Sequence, residues 1–250
     1  MKWVVFSGPT ITPAEVQRET DGVAIGRGPV SCGDVFRAQE EGAQAILIID
    51  GYFEHRLAVW HKEILWALSR GVRVYGASSL GALRAVELES YGMVGVGRVF
   101  EWFREGTLED EDEVTLIHES AECDYRPLSD AMVNIRATLA SAVESGRVDP
   151  ASATALIAIV KRQFYASRSL RSLVAIGADL GLIADAAAFA HWLEAGTVDQ
   201  KKLDAVAALH RMRTEIESPA SDAGRPQFHF EYTEAWHELV QLLRRTQQRP

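Results

Sequence analysis

Short runs of β-branched and aromatic residues alternate with amphipathic segments through the first third of the chain. Trp3–Phe6 (WVVF) is stopped by Ser7-Gly8-Pro9, residues 43–50 (AQAILIID) are closed by Asp50-Gly51, and residues 72–76 (VRVYG) form a third apolar run. Each reads as a buried strand. The stretches between them carry helix signals. Pro13 opens one with Glu15 in its first turn, and residues 33–42 have Asp34 near the start and Gly42 at the end. In residues 57–71, Leu57, Ala58, Trp60, Ile64, Leu65 and Leu68 recur at spacings of three and four before Gly71. Residues 79–92 supply the helix after the third strand. This order predicts an α/β fold in which an N-terminal parallel β-sheet layer of at least three strands is flanked by helices.

Beyond residue 98 the pattern changes. A helical segment opens at Arg98, and Glu109–Glu113 (EDEDE) is a run of five acids that reads as a solvated face or loop. From Leu128 onward strand signals fade, and helices are predicted over 128–145, 150–165, 167–181, 184–195 and 199–216. Residues 217–227 (ESPASDAGRPQ) have a linker's composition. Residues 233–245 form an amphipathic terminal helix. The expected division is an α/β core over 1–145 and an all-helical C-terminal region over 146–250.

Composition narrows the classes. The 250 residues are 47% hydrophobic and 24% charged, ordinary globular values that allow a sizeable core. A net charge of -9 makes nonspecific binding to nucleic acid a poor reading, because that needs concentrated positive charge. Cys32 and Cys123 give neither a disulfide framework nor a zinc spacing, and the reading is reduced thiols in a cytoplasmic protein. The N-terminus is too short in apolar residues for a signal peptide, and no run approaches the ~18 that a membrane helix needs. No nucleotide fingerprint occurs: residues 22–29 (GVAIGRGP) hold glycines without the phosphate-loop spacings. No cofactor and no metal site are expected.

Ligands of parallel α/β sheets bind beyond the C-terminal strand ends. Three stretches fall there: Ser7-Gly8-Pro9, Asp50-Gly51-Tyr52 and Gly76-Ala77-Ser78-Ser79. Ser79 follows the third strand and opens a helix, so its hydroxyl lies beside free N–H groups that could hold an oxyanion. Ala77-x-Ser79-x-Gly81 is close to the G-x-S-x-G elbow of hydrolases, with alanine for the first glycine. The bland alternative is that Ser78 or Ser79 simply caps the helix. The small residues Gly76, Ala77, Gly81 and Ala82 would leave a substrate room. Of the N-terminal histidines, neither His55, His61 nor His118 sits in a pattern that names it as a base. Lys62 stands among Trp60, Ile64, Leu65 and Trp66. Apolar surroundings disfavour a lysine's charged form, and a neutral lysine can take a serine proton. A surface lysine paired with Glu54 or Glu63 is the alternative. Asp50 could bind a ligand or cap a turn. Arg84 could anchor an incoming carboxylate or pair with Glu87 one turn away.

Six blocks then carry a resemblance: GDVFRA (33–38), IIDGYFEHRLAVWHKEILWALSRGV (48–72), GASSLGALRAVEL (76–88), YGMVGVGRVFEWFREG (91–106), EDEDEV (109–114) and PLSDAMVNIRATL (127–139). Together, from about Ser7 to about Ala142, they resemble the TfuA-like family. That resemblance implies a partner of a YcaO enzyme, which uses ATP to convert peptide backbone amides into thioamides. Such modification occurs in peptide natural products and in methyl-coenzyme M reductase. It implies further that the chain hydrolyses the C-terminal thiocarboxylate of a small ThiS-like sulfur carrier and releases sulfide. The peptide substrate would be met through YcaO. The family's Ser-Lys pair is placed at Ser79 and Lys62, with Ser78 able to stand in for the nucleophile. N–H groups near Leu80 and Gly81 would hold the oxyanion, and Arg84 and Asp50 would help to position the substrate. Two other readings stay open: a noncatalytic adaptor that docks YcaO, carrier and peptide, and a small-molecule-binding α/β domain using Asp50 and Ser7.

Overall fold

The computed structural model describes residues 2–52, 56–217 and 228–247. Two compact units make it up: Met1–Thr107 together with Asp204–Pro250, and Leu108–Leu203. The boundary expected at residue 145 from the loss of strand signal lies inside the second unit.

The first unit is built on strands β1 (Trp3–Phe6), β2 (Ala24–Arg27), β3 (Ala45–Ile48), β4 (Arg73–Ala77) and β5 (Val94–Val96), all parallel in the order β2-β1-β3-β4-β5. Helices α1 (Pro13–Glu19), α2 (Asp34–Glu40), α3 (His61–Ser69), α4 (Leu80–Leu88) and α5 (Arg98–Arg104) follow the strands in turn. The expected α/β architecture, a parallel sheet of at least three strands, is therefore present with five, three of which the sequence marks. β2 and β5 lie at the sheet edges and carry glycines, and their apolar runs are too short to register as strands.

Why strands β1 and β3 read as unbroken apolar runs is plain from their packing: every residue of both is buried. A parallel sheet covered on both faces cannot alternate apolar with polar. One face, formed by Trp3, Val5, Leu47, Ile49, Tyr75 and Ala77, packs against Val16 of α1 and against Ala205, Ala208, Leu209 and Met212 of α10 (Gln200–Glu217). α4 lies on the other face. The helix expected over 57–71 begins only at His61, and Leu57 stands 73% exposed. Helix α11 (Glu234–Gln247) buries Trp236, Val240 and Leu243 against Phe36 of α2, with Trp66 of α3 and Phe230 beside them. The linker expected over 217–227 falls, from 218 on, outside the described residues.

In the second unit, α6 (Met132–Glu144), α7 (Pro150–Lys161), α8 (Leu170–Asp179) and α9 (Ala186–Gly196) surround Ile135, Leu139, Leu156, Val160, Leu173 and Phe189. The acidic run divides here. Glu109, Asp110 and Glu111 are exposed, as a solvated face would be. Asp112 and Glu113 correct that reading. Glu113 is buried and accepts two hydrogen bonds from Arg136, at 2.9 and 2.8 Å. Asp112 pairs with Lys161 and with the fully buried Arg168. A buried guanidinium needs such partners, since unpaired it would be strongly destabilising. Among the described residues, no helix is long and apolar enough to cross a membrane.

Candidate active site

β4 ends at Ala77, and the chain then turns abruptly. Ser78 has φ +66°, in the left-handed region, and the Ser79 N–H donates to the Ala77 carbonyl at 2.7 Å. A bond from residue i+2 back to residue i around a positive-φ centre is a γ-turn, the rare and strained variety. Such strain persists only where the surroundings over-determine it. Ser79, at φ -126° and ψ -127°, occupies the N-cap position of α4, but its hydroxyl accepts no N–H of the first turn. The cap reading of Ser79 therefore fails for its side chain. Both serines are buried, Ser78 completely and Ser79 at 3% exposure.

The N–H groups around this turn are unequally committed. Gly81 donates to the Ile49 carbonyl at 3.2 Å, and Ala82 donates to that of Ser79 at 2.9 Å. The Leu80 N–H has no acceptor among the described residues, which leaves it as the uncommitted donor at the helix start. Gly76 and Gly81 do not leave space for a substrate, as their size suggested. A Cβ on Gly76 would lie 2.0 Å from the Gly81 carbonyl oxygen, and one on Gly81 would lie 1.8 Å from that of Ile48. Their smallness lets the first turn of α4 sit directly on β3 and β4. Ala77 and Ala82 are likewise fully buried.

Asp50 follows β3, next to the point where the strand order reverses between β1 and β3. Ligands of open α/β sheets bind at such crevices. Its carboxylate accepts from the Gly8 N–H at 2.9 Å, the Thr10 N–H at 3.0 Å and the Thr10 hydroxyl at 2.6 Å. The loop amides that could hold an incoming anion thus hold an internal one. This removes the ligand-binding group from the small-molecule reading. Ser7, the other residue of that reading, keeps a fully buried hydroxyl without a hydrogen-bond partner among the described residues.

Lys62 and His61 lie side by side in the first turn of α3 and face different ways. His61 turns toward α4, where its Nε2 is 2.7 Å from Glu87 and 3.4 Å from Arg84. Arg84 donates to Glu87 at 2.5 Å, the intrahelical pair that its spacing allowed. Its Nε is buried and has no hydrogen-bond partner among the described residues. Burial alone would raise the Glu87 carboxyl, but hydrogen bonds from His61 and Arg84 outweigh it and hold it below the ordinary value. The Lys62 ammonium lies over the Phe230 ring, 5.2 Å from its centroid. Among the described residues it makes no hydrogen bond to either serine. The fold thus gathers Ser78, Ser79, Leu80 and Gly81 at one turn, with Asp50 at the end of the neighbouring strand, and leaves Lys62 and Arg84 engaged elsewhere.

Glu63, which sequence reading offered only as a partner for Lys62, proves to be fully buried. It accepts from the Gly33 N–H at 2.8 Å and the Trp60 N–H at 3.2 Å, joining the starts of α2 and α3. Burial pushes its carboxyl up, against the lowering effect of those N–H groups. Burial and the neighbouring Glu63 push the Cys32 thiol up to about 12, so it stays protonated and unreactive at neutral pH. Glu at the third position of a helix is the one signal that could have found this role. Among the described residues, no group of three or more His, Cys, Asp or Glu is placed to hold a metal ion.

A doubly wound parallel sheet with a serine pair on a strained strand-to-helix turn defines the class: an α/β protein whose candidate chemistry sits at the carboxyl end of β4. The family model described as TfuA-like protein matches residues 50–169, a stretch that begins at Asp50 and contains the turn. Through residues 50–169 the chain is similar to the TfuA-like protein family. A search of curated proteins finds no match.

Proposed function

We propose that this chain releases sulfide from the C-terminal thiocarboxylate of a ThiS-like sulfur carrier, in support of a YcaO enzyme that thioamidates a peptide. The observation that carries the reading is the turn itself. The Ser79 hydroxyl is spared from capping, and the N–H of the next residue is uncommitted. The residue after a nucleophile is where acyl-transfer enzymes place an oxyanion donor. In the reaction, the Ser79 oxygen attacks the thiocarboxylate carbon and the Leu80 N–H steadies the oxyanion. The carbon–sulfur bond breaks, and the serine proton passes through Lys62 to the departing sulfur as hydrosulfide. Water then cleaves the acyl-serine ester, returning the serine hydroxyl and leaving a carboxylate and one proton. Gly81 serves by close packing, and Asp50 by fixing the Gly8–Thr10 loop. Arg84 is the cation nearest in sequence for a carboxylate, once it leaves Glu87.

Two observations favour variants of this reading. The positive φ belongs to Ser78, which suits a nucleophile at the apex of an elbow. The engagement of Lys62 with Phe230 suits an adaptor without chemistry. Sulfide release from a thiocarboxylated carrier by wild type, Ser79→Ala, Ser78→Ala and Lys62→Ala separates them. The expected result is a loss of at least about 10³-fold for Ser79→Ala and about 10²-fold or more for Lys62→Ala. The larger loss in Ser78→Ala would move the nucleophile by one residue. Undiminished release in all three variants would leave the adaptor.

A further inference from the structure

The side of α3 that carries Lys62 is covered by the chain's own C-terminal arm. Phe230 packs edge-on against Trp66, with centroids 5.2 Å apart, and against Trp236 at 5.7 Å. Phe228 packs likewise on Tyr91 beyond the end of α4, at 5.3 Å. Trp236 is fully buried beside Phe36. Arg244 ties the last turns of α11 to Glu40 at 3.1 Å. Lys62 and Trp66 stand four residues apart and so share one helix face. The arm that seats on Trp66 therefore brings the Phe230 ring over the ammonium of Lys62.

We infer that Phe230 is a positioning residue that holds Lys62 in a resting place away from the serine turn. The proposal rests on the reading of Lys62 as the base. The face of an aromatic ring attracts a cation and offers nothing comparable to a neutral amine. Contact with Phe230 thus tethers the cationic end of the side chain to the arm. Among the described residues, that end of the side chain makes its printed contact with the ring and no hydrogen bond to Ser78 or Ser79. No acid is hydrogen-bonded to Lys62 among the described residues, so the ring is the ammonium's described electrostatic partner. Displacing Phe230 frees the side chain, and an arm residue outside the matched stretch then sets the activity of a residue inside it.

The test compares wild type with Phe230→Leu, which keeps apolar bulk but loses the ring, and with Phe230→Tyr, which keeps the ring. Phe230→Met replaces the leucine variant if near-ultraviolet circular dichroism shows that the tryptophan cluster has been disturbed. The first readout is acetylation of Lys62 by acetic anhydride, followed by mass spectrometry. The second is sulfide release from the thiocarboxylated carrier. Removal of the ring should raise Lys62 acetylation about threefold to tenfold and raise sulfide release with it, while Phe230→Tyr stays near wild type. Unchanged acetylation in Phe230→Leu overturns the lock whatever the activity does. Faster acetylation with unchanged sulfide release overturns the role of Lys62 as base, and with it the lock's function. Equal gains in Phe230→Leu and Phe230→Tyr would show loosened packing, and would equally overturn the ring's role.

Discussion

Ser78 is the residue on which the most depends. A non-glycine residue in the left-handed region costs about 1–2 kcal/mol, and glycine escapes that cost. Ser78→Gly and Ser78→Ala both delete the hydroxyl, but only the glycine relieves the backbone. We expect the glycine variant to be more stable than the alanine variant by about 1 kcal/mol, measured by urea denaturation, an inversion of the usual order. Equal stabilities would mean that the turn is not strained. Some of this site is visible in the sequence. A small-residue stretch after an apolar run marks where a turn must fall, and two serines there invite a chemical reading. The γ-turn is not visible, because nothing in Gly-Ala-Ser-Ser says which serine takes the positive φ. Nor is the direction of Lys62, since the ring that draws it lies far along the chain at position 230.

At the scale of elements, helices with strong caps and clear periodicity were legible. α1 opens at Pro13 with Thr12 capping it, and α7 opens at Pro150 with Asp149 capping it. The edge strands β2 and β5 were not, because AIGR and VGV are broken by glycine, whereas the equally short β1 and β3 are unbroken apolar runs. The function of α11 was hidden for a different reason: its apolar stripe shows that it packs, not on what. Trp236 makes that packing, fully buried against α2. Trp236→Ala should cost about 3–5 kcal/mol and release the arm. The expected signs are a lower unfolding midpoint and faster Lys62 acetylation at temperatures where the sheet remains folded. A loss of stability without any gain in Lys62 acetylation would mean that α11 and the Phe230 contact are independent.

At the scale of the whole molecule, the two units have different electrostatic interiors. The Leu108–Leu203 unit contains the cluster of Asp112, Glu113, Arg136, Lys161 and Arg168. Burial by itself would raise the Asp112 carboxyl, but hydrogen bonds from Lys161 and Arg168 outweigh it and hold it below its ordinary 3.8. A carboxyl lowered by folding contributes stability that is present above the unfolded value and is lost as pH falls through the folded one. This unit should therefore weaken as the pH drops from about 4 toward about 2. Asp112→Asn should unfold at lower urea near neutrality and show a flatter acid limb. An acid limb as steep as that of wild type would place the linkage on other carboxylates.

The α1/α10 face of the sheet needs Ala205, Ala208, Leu209 and Met212, which lie beyond the whole of the second unit in sequence. During synthesis, β1 to β5 leave the ribosome roughly a hundred residues before those side chains, a delay of about 5–20 s. Through that interval Trp3, Val5, Leu47 and Ile49 have no α10 to cover them. The nascent chain is then a client for whatever chaperone binds exposed apolar strands, and the second unit is synthesised while the first waits for its closing helix.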